Sequence, residues 1–343
     1  MAAKGPKKKK NAALIAGIVV TAIVLIVVVV ALLALGYIYL RLNNIQRIPE
    51  VQQSSVTETF EQDSIGEDNS AMVVDPGDVT WPVTNPSGDD SESTYDGEWV
   101  YSDPNIVNIL LIGIDGRDYS GRSDTMILCT LNRTEKTVSM TSFLRDLYVQ
   151  IPGYSDNRLN AAYAFGGTEL LDATLEHNFG IHVDGHVMVD FDTFPQVINA
   201  LGGVDITLTQ AEADYLGLSG AGEYHMDGEL AMRYARIRYI DSDFGRTNRQ
   251  RTVLNSLFLR FKDLGWTEIL GAANQVLDLV YTDMDAGTIL SYGSEMLGVQ
   301  EIQQNHVPDD GEYYDAVING MMVLVPYLDD IHTRLGEVLY GIQ

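Results

Sequence analysis

The sequence predicts an α/β domain with a mixed sheet layered by helices, and three observations carry that expectation. NIVNILLIGID reads as a buried strand ending at Asp115. TMILCTLNRTEKTVSMTSF reads as two strands joined by a polar turn at Arg133 to Lys136, because apolar and β-branched residues fill both arms. VMVDFDTFPQVINALGGVDITL reads as strand, helix, Gly-Gly stop and strand. Chains that mix the two periodicities in this way build sheets covered by helices.

Residues 1–11 form a basic tail carrying Lys4, Lys7, Lys8, Lys9 and Lys10, and thirty uncharged residues follow before Arg41. About twenty suffice to cross a bilayer as a helix, so residues 12–40 are predicted to be one transmembrane span. A cleaved signal peptide would have a shorter apolar core and a small-residue cleavage site. Lysines ahead of a span mark the cytoplasmic side, which puts the remainder of the chain outside the membrane. Residues 41–104 are predicted to be a flexible acidic stalk. No Lys or Arg stands between Arg47 and Arg117, and QQSSVTETFEQDSIGEDNS and NPSGDDSEST are too polar to fold around a core. Apolar patches such as AMVV or GEWVY are suited to docking on the domain.

The globular part is expected over residues 105–343, with further helices from Gly228 and from about Arg246, and helical patterning recurring weakly in GMMVLVPYLDDIHTRLGEVLYG. No internal repeat is evident. Cys129 is the only cysteine, so no intrachain disulfide forms, and its strand-like setting suggests a buried thiol.

The chain has a formal net charge of -26, from 22 Lys and Arg against 48 Asp and Glu. Seven of the cations precede residue 48 and all the acids follow residue 47, so fifteen cations face 48 acids beyond that point, a net -33. Six of those fifteen lie in RYARIRYIDSDFGRTNRQR, Arg233 to Arg251. Arginine dominates where planar, bidentate contacts to phosphate or carboxylate are wanted. The plainer alternative is an exposed helix with pairs to Asp241 and Asp243. DNA is a poor partner for so acidic a chain, and no nucleic acid is expected.

GxxxxGK[ST], GxGxxG, HExxH, GxSxG and CxxC are all absent, which argues against a nucleotide-triphosphate loop, a dinucleotide site, a zinc protease, a serine hydrolase and a thiol redox centre. The six histidines have no metal-ligand spacing. What remains is a constellation of arginine and aspartate. In GIDGRDYSGRSDT a strand ends at Asp115 and leads into a loop with Arg117, Asp118, Arg122 and Asp124. Carboxylates at strand ends beside a loop suit a hard cation such as Mg²⁺ that shares its positions with phosphate oxygens. SFLRD puts Arg145 and Asp146 at the end of another strand. If RIR is extended, Arg236 and Arg238 project from one face. In the helix near Arg246, the stripe Val253, Leu254, Leu257, Phe258 and Phe261 counts back to Arg246 and Gln250, with Arg249 on its flank. An arginine there would line a cleft where an anion docks near a helix N-terminus. Arg251 falls near the edge of the stripe, where solvent is expected to screen it.

At these residues the sequence resembles the LytR-CpsA-Psr enzymes of bacterial cell envelopes. The matching segments are NILLIGIDGRDYSGRSDTM, SFLRD, RLNAAYAFGG, DFDTFPQVINALGGVDI and MDGELAMRYARIRYIDSDFGRTNRQR, in the family's order. Leu144 stands where members usually carry Pro. The resemblance implies a three-layer α-β-α domain that takes a glycopolymer (teichoic-acid-like, capsular or another wall polymer) from a polyprenyl pyrophosphate carrier. The polymer passes with one phosphate to a peptidoglycan hydroxyl, releasing polyprenyl phosphate. It also implies that Asp115 and Asp124 hold Mg²⁺. Arg122, Arg145, Arg236, Arg238, Arg246 and Arg249 with Gln250 would clamp the pyrophosphate, and Arg117 would join them. Asp115, Asp124, Arg145 and Arg246 then form the catalytic set, and a groove holds the prenyl chain. Two alternatives stay open: hydrolysis of the pyrophosphate by water, and a non-enzymatic role as a membrane-anchored envelope regulator.

Overall fold

A computed structural model describes residues 36–48, 71–81, 100–114, 121–190, 192–237, 240, 243–265, 268, 271–272 and 275–342. The basic tail and residues 12–35 of the expected span lie outside the described residues, as do Asp115, Arg117 and Arg238. Among the described residues no helix is long and apolar enough to cross a membrane.

The described elements are, in chain order, β1 (Met72–Val73), β2 (Ile106–Ile114), β3 (Ser123–Asn132), β4 (Thr137–Phe143), β5 (Tyr148–Val149), β6 (Asn157–Arg158) and α1 (Leu159–Phe179). Next come β7 (Gly185–Asp190), α2 (Phe194–Ala200), β8 (Val204–Leu208), α3 (Gln210–Leu216), β9 (Gly222–Met226), α4 (Gly228–Ala235) and α5 (Asp243–Asp263). The chain closes with β10 (Tyr281–Thr282), α6 (Ala286–Met296), β11 (Glu301–Val307), β12 (Tyr313–Ile318), β13 (Met321–Pro326) and α7 (Leu328–Tyr340).

The main sheet has the order β10-β7-β2-β3-β4-β11, parallel at β7-β2 and β4-β11 and antiparallel elsewhere. Side chains alternate along a strand, so β2 serves two faces. Leu110, Ile112 and Ile114 join a solid core with Leu171 and Leu175 of α1 and Ile331 and Leu335 of α7. Ile109 and Leu111 turn to the other face, where Leu254 and Phe258 of α5 and Tyr292 and Met296 of α6 cover the sheet. Helices therefore lie on both faces. Asn108, buried within β2, is satisfied: its Nδ2 donates to the His182 carbonyl and to Tyr340 Oη, each at 2.8 Å, and its Oδ1 accepts from Thr130 Oγ1 at 2.8 Å.

A second cluster joins α2, β8, α3, β9, α4 and α5 around Ile198, Ile206, Leu216 and Val253. The expected Gly-Gly stop is Gly202 and Gly203, with φ of 85° and 87°, a region other residues reach only at a cost. Parts of the expected stalk pack on the domain: Met72 and Val73 of AMVV pair in parallel with Ala316 and Val317, and Tyr101 stacks on His332. At the C-terminus the helical patterning holds only for α7, because MMVLV forms β13 against β12. Leu144, in place of the usual Pro, is buried, and its N–H donates to the Val307 carbonyl at 2.9 Å, a bond proline could not make.

Candidate active site

Two groups of side chains flank β3 near the end of the sheet where β2 stops. The first is an ionic chain. Arg145, just beyond β4, places Nη1 2.8 Å from Asp124 Oδ1 and Nε 3.4 Å from Asp146 Oδ2. Asp146 Oδ1 in turn lies 3.3 Å from Arg158 Nε, and Arg158 Nη2 donates to the Met322 carbonyl at 2.6 Å. Arg122 Nη1 reaches Asn160 Oδ1 at 3.4 Å. Backbone bonds fix this arrangement: the N–H groups of Leu159 and Asn160, in the first turn of α1, donate to the carbonyls of Leu147 and Arg145. All these side chains are half-buried or buried, so their charges act with less screening than surface pairs.

The second group is the mouth of a cavity of about 300 Å³ between the sheet and α5. Its walls are apolar, with Leu111, Val187, Val197, Leu254, Leu257 and Val280 among them. Its polar members are Thr125, Asp190, Arg236 and Gln250. Gly113 and Thr125, a directly opposed pair of β2 and β3, line this cavity, and Thr125 adjoins Asp124 in the chain. The cavity thus reaches the strand position next to the ionic chain. Gln250 Oε1 is buried there without a hydrogen-bond partner among the described residues, which is rare for a buried polar atom and fits a place where a ligand completes the bonding. A second apolar cavity of about 300 Å³ shares Leu111, Val187 and Leu254 with the first.

The expected site residues fall as follows. Asp124, Arg122 and Arg145 share the ionic chain; Arg236 and Gln250 line the cavity. The extended reading of RIR fails at Arg236, which caps α4 with φ -101° and ψ 4°. Arg246 sits in the first turn of α5 and is 4% exposed. Arg249, 2% exposed, donates from Nη2 to the Ile237 carbonyl at 3.0 Å and holds Nη1 3.6 Å from Glu212 Oε1. Glu212 also closes the capping box of α3 with Thr209. These contacts give Arg249 a structural task independent of any anion. Arg251 corrects the expectation of a screened edge position: it is 4% exposed, and burial pulls its pKa down to about 10. The reason is that α5 is covered on two sides. Val253 and Leu257 pack in the second cluster, whereas Leu254 and Phe258, on the face that Arg251 shares by helical spacing, pack against the sheet.

Arg158, Asn160 and Asp190 were not singled out from the sequence. Arg158 and Asn160 lie in RLN, within a segment that carried the family resemblance, and that was their only signal. Among the described residues no three His, Cys, Asp or Glu side chains cluster as a metal would require.

Residues 82–335 match the family model described as LytR_cpsA_psr. The chain belongs to that family. The chain is 35% identical over 229 residues to the polyisoprenyl-teichoic acid–peptidoglycan teichoic acid transferase TagU of Enterococcus faecalis, covering 61% of this chain and 74% of that one. It is likewise 35% identical over 214 residues to TagT of Bacillus subtilis, a transferase of the same description, covering 57% and 66%. Among solved structures, TagT with bound octaprenyl pyrophosphate lipid superimposes with a TM-score of 0.56 at 27% identity, over 71% of this chain and 95% of that one. TagT bound to LIIa-WTA gives a TM-score of 0.60 at 27% identity, over 71% and 96%. The family and the mixed α/β fold are those the sequence implied.

Proposed function

We propose that this chain transfers an anionic glycopolymer, with one phosphate, from a polyprenyl pyrophosphate carrier to a peptidoglycan hydroxyl. The observation that carries the reading is the apolar cavity that has Arg236 and Gln250 beside Thr125 and Asp190 among its polar members and reaches, at Thr125, the residue next to Asp124 of the Asp124–Arg145 pair. An amphiphile with a long apolar tail and a doubly charged head needs this combination, and relatives of the chain are named for this reaction.

The acceptor oxygen attacks the phosphorus that carries the polymer, and the bond from that phosphorus to the bridging oxygen breaks. Polyprenyl phosphate leaves with the bridging oxygen and its bonding electrons, and the proton of the acceptor hydroxyl passes to solvent or to that leaving phosphate. Negative charge grows on that leaving phosphate and on the equatorial oxygens, so fixed guanidinium groups that meet it in the transition state lower the barrier. Arg122, Arg145, Arg236 and Arg246 take this part, with Arg117 and Arg238 joining from the neighbouring segments. Arg145 also orients Asp124 through the 2.8 Å bond. The prenyl tail fills the cavity and fixes the reacting phosphorus relative to these groups.

Asp115 and Asp124 are our proposed ligands for Mg²⁺. Asp124 is the extra residue of the bulge between the Gly113–Thr125 and Ile114–Ser123 pairs, at the end of β2 that Asp115 follows in the chain, and carboxylate oxygen is the donor such an ion prefers. When bound, the ion supplies charge neutralisation on phosphate oxygens. The uncharged run of residues 12–40 anchors the chain in the cell membrane with the catalytic domain outside, where donor and peptidoglycan meet.

Filling the cavity tests the reading. Leu111 faces the cavity rather than the solid core, so Leu111→Trp should leave thermal unfolding nearly unchanged while greatly reducing transfer of a long-chain donor to isolated cell wall. Wild-type transfer rates in this variant would sink the cavity assignment. Products from donor incubated with and without cell wall separate transfer from hydrolysis.

A further inference from the structure

The chain that directly follows the uncharged run is fastened to a wall of the apolar cavity. Arg41 Nη2 lies 2.9 Å from Asp278 Oδ2, and Gln46 Nε2 donates to the Asp278 carbonyl at 2.6 Å. Arg47 Nη1 donates to the carbonyls of Asp283 and Met284 at 3.2 and 2.5 Å. Gln46 bridges Tyr281 in parallel, with the Thr282 N–H donating to the Gln46 carbonyl at 3.1 Å. Leu42 and Ile45 are buried. The gripped segment is the one that walls both cavities: Val276 and Val280 line the first and Met284 the second.

The same short stretch leaves Tyr37, Tyr39 and Leu40 exposed, at 48%, 47% and 63%. Thirty uncharged residues end at Leu40 and Arg41 follows. Tyrosines at the end of such a run, with arginines just beyond, are the composition of a membrane–water boundary, where amphipathic rings sit at headgroup level. A lipid surface is the occupant that this order of residues fits.

We infer that residues 36–48 are a membrane-proximal latch. Tyr37, Tyr39 and Leu40 rest in the bilayer interface, and the grip on residues 276–284 holds that cavity wall against the membrane, so the lipid donor enters from the side at this wall. The donor's identity rests on the function proposed above; the latch rests on the contacts. Most of the bonds to the gripped segment go to its main-chain carbonyls, so the grip fixes backbone position. Without it, a domain on a loose tether would present the cavity to the bilayer in only a fraction of its orientations.

The test uses the full chain in vesicles of phosphatidylglycerol and phosphatidylethanolamine. A fluorophore on Gln275→Cys, an exposed position beside Val276, reports proximity to lipid through quenching by nitroxide-labelled lipids. Cys129 is partly buried and lines the second cavity, so Cys129→Ser in every variant leaves the introduced cysteine as the sole thiol. Strong quenching is expected with the latch intact, and its loss is expected in Arg41→Glu combined with Arg47→Glu. In the same variant, which loses the three charge-assisted bonds of Arg41 and Arg47, transfer from a polyprenyl donor in the bilayer should fall about tenfold or more, while transfer from a water-soluble short-chain donor stays unchanged. Quenching that is absent in the parent or survives the substitutions overturns the latch. An equal fall with both donors also overturns it, by showing damage to the fold. If the parent transfers from neither donor, the transferase reading fails and the quenching still decides the latch.

Discussion

His186 offers a prediction whose size can be worked from the structure. Its ring is almost fully buried between two carboxylates: Nδ1 lies 2.6 Å from Asp283 Oδ2 and Nε2 lies 2.8 Å from Asp172 Oδ1. Its own N–H donates to Asp283 Oδ1 at 2.8 Å, and its carbonyl accepts from Thr282 Oγ1 at 2.6 Å. The imidazolium therefore ties together β7, the edge strand β10 with the residue after it, and α1. Burial alone would lower the pKa of the ring, but hydrogen bonds to Asp172 and Asp283 outweigh it and push the value from 6.5 up to about 9. The two partners move in opposite directions. Burial holds Asp172 above the usual carboxylate range, whereas at Asp283 the bonds from the His186 ring and N–H overcome burial and hold it below. Asp283, with two bonds from His186, is the firmer partner.

A group whose pKa is higher folded than unfolded stabilises the fold fully below its unfolded value and ceases to do so as pH rises through the folded one. For His186 that window runs from 6.5 to about 9. A shift of that size corresponds to about 3 kcal/mol, or roughly 6–12 °C in Tm for a domain of this size. The perturbation is His186→Gln, read by calorimetry at pH steps from neutral to strongly alkaline. The parent should lose stability through this window. His186→Gln should start lower, because two carboxylates lose their cation, and should change little across the same window. A parent with flat stability through this window, or a variant that tracks it step for step, would refute the reasoning.

The remaining predictions follow the same geometry. Asp124→Asn should greatly reduce transfer while leaving the fold intact, since the amide oxygen can still accept from Arg145 Nη1; activity that survives both this substitution and a chelator would remove the metal from the mechanism. Arg251→Met should leave Tm unchanged or raise it, because Nε and Nη1 of Arg251 are buried without hydrogen bonds, and a drop of several degrees in calorimetry would contradict this. Gly228→Ala should destabilise the domain by about 3 kcal/mol or more, since an added Cβ would meet the Pro195 carbonyl oxygen at 1.9 Å; urea unfolding with an unchanged midpoint would show that α2 and α4 can move apart.

Much of the fold was legible because β2, β3, β4 and the β7–α2–β8 unit combine apolar runs with unmistakable turn chemistry at Arg133 to Lys136 and at Gly202–Gly203. The long helix α1 was not read. Leu159, Ala161, Ala162, Tyr163 and Phe165 are all buried, so its first turns have no polar face to reveal a helical period, and Gly166 and Gly167 kink it at φ -149° and 68°. The C-terminal stretch misled for the opposite reason. MMVLV fits one apolar face of a helix as well as a strand, and only pairing with β12 decides between them.

The site was legible by residue type and not by depth. Six arginines in nineteen residues announced an anion, yet a single hydrophobic stripe on α5 predicts one buried side and one wet side. The helix is instead wedged between the second cluster and the sheet, which buries Arg246, Arg249 and Arg251 alike. Burial then cannot rank these arginines; contacts can. Arg249 is committed to Glu212 and to the Ile237 carbonyl, and among the described residues the guanidinium of Arg251 donates to Asn248 Oδ1 alone, at 3.4 Å. A cation so poorly served inside a fold is costly unless something else meets it, and the second face of α5 looks toward the sheet and the second apolar cavity, away from the Arg249 brace. On α5, then, buried arginines do different work: Arg249 braces the helix to α3 and to the segment after α4, whereas Arg251 sits on the face turned to the sheet.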